Sequence, residues 1–134
     1  MVKSSIDMLI NAIKRKYFYL RIFTELCKEY RDCVEIRFVS DKEKHRAICE
    51  TYASQIINLR EKCHEIDNKI YLEFSDDKIY MARQYVEEED TFNIIHKKFI
   101  SFHNKNISKK LIVQVIEAEI KFHKTKAQLY SMFE

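Results

Sequence analysis

The stretch FNIIHKKFISFHNKNISKKLIVQVIEAEIKFHKTKAQLYSMF, residues 92–133, decides the fold class of this chain. Steps of three and four residues through it land on Phe92, Ile95, Phe99, Phe102, Asn106, Lys109, Val113, Ile116, Ile120, His123, Ala127 and Tyr130. That is the a/d register of a packed helix, held for about six heptads. From Ile107 onward a second apolar set lies off the seam: Leu111, Ile112, Val115, Phe122, Leu129 and Phe133. A helix that is apolar on two sides has two neighbours. One of them is expected to be another copy of the chain, with a dimer interface through Leu111, Ile112, Val115, Ile116, Ile120, Phe122, Leu129 and Phe133.

Composition narrows the class further. The 134 residues include no Gly and no Pro, and 34% are charged. Without Gly there is no low-cost residue for positive φ, which argues against tight hairpins, phosphate-cradling loops and nucleophile elbows. Without Pro nothing interrupts a helix, and the charge suits long solvated helical faces. The expected class is all-α, as a single helical domain over 1–134. No apolar run of membrane-spanning length occurs, and the first residues lack the apolar core of a signal peptide, so a cytoplasmic location is expected. The four cysteines, Cys27, Cys33, Cys49 and Cys63, form no C-x-x-C pair. They read as small buried hydrophobes in a reducing compartment, with no metal expected.

The remaining chain carries the same periodicity. Ile6, Leu9, Ile13, Lys16, Leu20, Phe23, Cys27, Tyr30 and Val34 hold 3,4 spacing with Lys16 as the one break. Cys49, Tyr52, Ile56, Leu59, Cys63, Ile66 and Ile70 hold it again. Ser40-Asp41-Lys42-Glu43 has the form of a capping box, which signals a helix start. Yet Val34 to Tyr52 spans about five full turns, so the seam keeps its phase if the helix continues. The Ser75-Asp76-Asp77 turn is clearer, because these residues favour caps over helix interiors. The preferred reading is therefore a long antiparallel helical hairpin, with helices over about 5–73 and 76–133, completed by dimerisation. The alternative is a compact three- or four-helix bundle with breaks near 40 and 105, the second break falling in the polar run Ser101, Asn104, Asn106, Ser108.

Charge is segregated along the chain. Residues 1–40 carry eight Lys/Arg against five Asp/Glu, residues 41–90 eight against thirteen, and residues 91–134 eight against three. The block Glu87-Glu88-Glu89-Asp90 reads as a solvated face. His45, His64, His96, His103 and His123 come with no H-E-x-x-H, Ser-His-Asp or Cys-His signature, so no enzyme activity, cofactor or small-molecule substrate is expected. A basic nucleic-acid binder would want a stacking platform or known motif, and neither is present.

The segment KKFISFHNKNISKKLIVQVIEAEIKFHKTKAQLYSMF resembles the last helix of BAR domains of the sorting-nexin type. The matching positions are Phe102 for the Phe of that family's turn, Leu111, Val115 and Ile116 for its apolar core, Glu119 and Ile120 for its "E…I" element, and Phe133 for the terminal aromatic. INAIKRKYFYLRIFTEL is similar to the opening of the family's middle helix, with Ala12, Lys16 and Leu20 in register. The family's first helix and its phosphoinositide-binding domain have no counterpart here. The resemblance implies a homo- or heterodimer that binds or bends endosomal or other cytoplasmic membranes in protein sorting. Lys14, Arg15, Lys97, Lys98, Lys105, Lys109 and Lys110 would then contact anionic lipid. The region corresponding to the family's tip carries Asp67, Glu73, Asp76 and Asp77, which anionic lipid repels. That favours the alternative of a coiled-coil scaffold or adaptor without membrane affinity.

Overall fold

A computed structural model describes residues 2–36, 38–101 and 109–134, with side chains from Ser5 onward. The described residues form four helices and no strand: α1 (Val2–Val34), α2 (Lys42–Glu73), α3 (Asp76–Ser101) and α4 (Lys109–Ser131). The all-α expectation holds. Among the described residues no helix is long and apolar enough to cross a membrane. The chain divides into two compact units, residues 14–72 and residues 1–13 with 73–134.

In the unit formed by residues 14–72, the second part of α1 is paired with α2 in antiparallel sense. Lys16 Nζ meets Asp67 Oδ1 at 2.6 Å near one end of the pairing, and Cys33 Sγ meets Cys49 Sγ at 2.8 Å near the other. Between them, Lys62 Nζ lies 5.5 Å from the centroid of the Tyr19 ring. Lys16, the one polar residue in the α1 seam, is thus matched by a carboxylate across the interface. Both side chains are largely shielded, at 22% and 29% exposure, so the pair is screened less than an ordinary surface ion pair.

This pairing overturns the unbroken helix over 5–73. On a continuous helix Cys33 and Cys49 would lie about 24 Å apart at 1.5 Å per residue. Periodicity could not reveal the reversal, because an apolar stripe keeps its phase whether the chain runs on or folds back. The capping signal was the informative one. Asp41 caps α2, its Oδ1 accepting from the Lys44 amide at 3.0 Å while its carbonyl accepts from the His45 amide at 3.1 Å. The α2–α3 boundary falls where the sequence puts it: Ser75 Oγ accepts from the Lys78 amide at 3.4 Å, and Asp76 and Asp77 occupy the first turn of α3.

The other unit joins the first thirteen residues to α3 and α4. Its core is Ile6, Leu9, Ile10 and Ile13 from α1, Ile79, Ala82, Tyr85 and Val86 from α3, and Val115, Phe122 and Leu129 from α4. Phe122 anchors the α3–α4 contact, with ring centroids 6.3 Å from Tyr85 and 4.9 Å from Phe92. Phe92 and Phe122 would be about 45 Å apart on one continuous helix, so the unbroken rod over 76–133 is also replaced by two antiparallel helices. The expected break at 105, with Phe102, Asn104, Asn106 and Ser108, lies outside the described residues. Farther along the pair, Phe133 packs 6.1 Å from Phe74 and takes Lys78 Nζ over its face at 4.6 Å.

Core position and helix position make separable contributions to stability. Leu129 is 0% exposed and Leu72 is 88% exposed. Leu129→Ala is expected to cost about 2–5 kcal/mol, because it leaves a cavity. Leu72→Ala is expected to stay within about 0.5 kcal/mol of the parent. Guanidinium denaturation of both variants at one chain concentration checks this.

Candidate functional site

Helix α4 presents two apolar faces. Val115, Phe122, Thr125 and Leu129 are buried on the side of α4 that meets α3. Successive residues turn by about 100°, so Ile116 and Ile120 are carried away from that face. Ile112 is 39% exposed, Val113 49%, Ile116 50% and Ile120 61%. His123 and Ala127 continue the same strip on the exposed side.

The expected dimer contact is thereby divided between buried and exposed positions. The 3,4 seam through Val113, Ile116, Ile120, His123 and Ala127, read as the intrachain packing stripe, faces outward. Of the residues assigned to a dimer contact, Val115, Phe122 and Leu129 are buried within the chain, and Phe133 is engaged by Phe74 and Lys78. Leu111 is half-buried, whereas Ile112, Ile116 and Ile120 remain on the surface. The physical reason is the α3–α4 reversal: the wide aromatic surface of α3 takes the face of α4 that carries Phe122.

The basic residues fall into two groups. Lys97 and Lys98 in the last turns of α3 and Lys109 and Lys110 at the start of α4 are exposed at the same end of the antiparallel pair. α4 has no acidic residue in its first turn, so Lys109 and Lys110 add to the positive end of its dipole instead of offsetting it. Lys14 and Arg15 are exposed on α1 in the other unit. Lys105 lies outside the described residues.

The acidic block is more structured than a solvated face. Glu88 Oε2 accepts a 2.5 Å hydrogen bond from Thr125 Oγ1, and Glu89 Oε2 accepts one of 2.5 Å from the Tyr85 hydroxyl. Glu88 also borders an open groove of about 490 Å³ between α3 and α4, lined by Tyr80, Arg83, Gln84, Glu87, Ala118 and Lys121 among others. Its charges are of both signs.

The described histidines are dispersed, and His103 lies outside the described residues. His96 stacks between Phe92 and Phe99, at centroid distances of 5.2 and 6.4 Å. His123 Nε2 lies 3.9 Å from Glu119 Oε1, and His64 is exposed. His45 differs, because it sits in the first turn of α2 beside two thiols. Its Nε2 is 2.7 Å from the Cys33 carbonyl oxygen, to which the ring donates, and 3.8 Å from Cys49 Sγ. The hydrogen bond with Cys33, followed by partial burial, raises the Cys49 thiol above the ordinary cysteine value. Sequence reasoning looked for C-x-x-C and passed over this trio. The signal present was His45-x3-Cys49, two donors one helical turn apart, with Cys33 in the last turn of the preceding helix.

No protein-family model, curated protein or solved structure matches this chain.

Tyr85 gives the buried face a pH signature. Burial first, then the hydrogen bond and charge of Glu89, push its phenol well above the usual tyrosine range. The folded state therefore keeps a proton that the unfolded state releases near pH 10. Its stabilising effect is complete below that pH and is lost as pH rises through the folded value. In an alkaline absorbance titration, Tyr85 is expected to ionise last, on unfolding. Tyr85→Phe should remove that late fraction and flatten the fall in stability above about pH 10.

Proposed function

We propose that this protein is a non-catalytic helical interaction module that self-associates through the outward seam of α4. The observation that carries the reading is the exposure of a heptad seam, Val113–Ile116–Ile120, on a helix whose other face is already buried. A seam of this spacing is shaped to receive another helix.

Charge on its flanks selects a second copy as the occupant. With Val113 and Ile120 at a and Ile116 and His123 at d, the e positions hold Glu117 and Lys124, and the g positions hold Glu119 and Lys126. An antiparallel copy related by a two-fold axis near residues 121 and 122 sets Glu117 against Lys124 of the second copy. It likewise sets Glu119 against Lys126 of the second copy. Both of these flanking pairs are of opposite charge, and the interface is self-complementary, as two-fold symmetry requires.

The full chain is expected to sediment as a dimer. Ile116→Glu with Ile120→Glu should yield a monomer of unchanged helix content by circular dichroism. Glu117→Lys should weaken the dimer, and adding Lys124→Glu should restore it. A monomeric parent chain at high concentration would sink this reading.

A second reading adds lipid to protein. The four lysines 97, 98, 109 and 110 at one end of the α3–α4 pair supply a compact basic patch for anionic headgroups, in keeping with the sorting-nexin-type resemblance. Co-sedimentation with vesicles containing phosphatidylserine should fall when all four are changed to Glu. Equal pelleting of parent and variant at physiological salt would remove the membrane reading and leave self-association standing.

A further inference from the structure

The thiol–imidazole trio at the α1–α2 reversal is independent of the α4 seam. Cys33 Sγ, Cys49 Sγ and a ring nitrogen of His45 all lie within 4.8 Å of one another. Cys33 is buried, while His45 and Cys49 are half-buried. All three stand on helical turns, so their backbone positions are set by packing and not by a loop. From this geometry we infer that Cys33, His45 and Cys49 form a zinc site that clamps the end of α1 to the start of α2.

The donor set suits the ion. Zinc takes thiolate at about 2.3 Å and imidazole at about 2.0–2.1 Å, in tetrahedral array. Two sulfurs on such an ion stand about 3.8 Å apart, so the present 2.8 Å separation has to widen by roughly 1 Å. The Cys49 Sγ to His45 Nε2 separation of 3.8 Å needs little change. Two thiolates balance the 2+ charge, so the partly shielded site carries no net charge. Binding releases both thiol protons to solvent. It also moves the His45 proton from Nε2 to Nδ1, which exchanges the hydrogen bond to the Cys33 carbonyl for coordination. Three protein ligands leave the fourth position to water.

The test uses the full chain, reduced and stripped of metal by chelation, with Co²⁺ as the spectroscopic probe and Zn²⁺ as its competitor. One equivalent of Co²⁺ should give thiolate-to-metal charge-transfer absorption, and Zn²⁺ should abolish it. Cys33→Ser and Cys49→Ser should each lose the band, whereas Cys27→Ser and Cys63→Ser should retain it. His45→Ala should weaken affinity by at least the roughly 10–100-fold that follows loss of even an outer hydrogen-bond partner. Zn²⁺ should raise the thermal midpoint of the parent but not that of Cys49→Ala, a comparison that holds even if one serine variant folds poorly. Absence of a saturable band, or its persistence when both Cys33 and Cys49 are replaced, would overturn the site. So would a reduced protein that ignores both ions yet forms a Cys33–Cys49 disulfide with hydrogen peroxide.

Discussion

The seating of Phe122 against Tyr85 and Phe92 sets the rotation of α4, and much of the molecule's surface chemistry follows from it. A buried aromatic ring contributes a large apolar area in a defined orientation, so it fixes which way a helix faces more firmly than a single aliphatic contact does. With Phe122 inside, Val115 and Leu129 are inside as well, one heptad to either side. Ile116 and Ile120 are then outside by helical geometry alone. The exposed seam is therefore not a local irregularity but the other half of the same packing decision.

Polar groups placed along the apolar interfaces are matched one by one. Lys16 meets Asp67, Thr125 meets Glu88, and Tyr85 meets Glu89. Among the described residues, no buried side-chain nitrogen or oxygen lacks a partner. Leaving such a group unpaired costs about 1–3 kcal/mol, more for a charge, so sliding one helix by a turn would break the Lys16–Asp67 and Thr125–Glu88 pairs while changing apolar contact little; the Tyr85–Glu89 pair lies within α3 and would survive it. Each of the two interhelical pairs thus selects one register from several of comparable hydrophobic merit.

Helix content and seam positions were legible in the sequence because 3,4 periodicity is a local property. The Ser75-Asp76-Asp77 turn was legible for the same reason, being a capping signal with nothing to compete with it. Chain direction was not legible. Between Val34 and Tyr52 the apolar phase is the same for a rod and for a hairpin, and only the Asp41 cap distinguished them. The two apolar sets of α4 were both legible, but which of them is buried within the chain depended on which surface α3 offers, and that is a tertiary fact. The Cys33–His45–Cys49 trio required the same reversal, since it unites donors from two helices. The acidic block was misread because Glu88 and Glu89 find hydroxyl partners, one of them 37 residues away.

The unit that contains α3 and α4 also contains the first thirteen residues of the chain. Ile6, Leu9 and Ile13 are almost completely covered there, at 0%, 0% and 1% exposure, by a unit whose other residues begin at Glu73. On the ribosome that cover does not yet exist when they emerge. At about 5–20 residues per second, the segment waits several seconds or more for α3 and α4 to be made. During that interval the apolar face of Ile6, Leu9 and Ile13 lacks the residues that cover it in the finished fold.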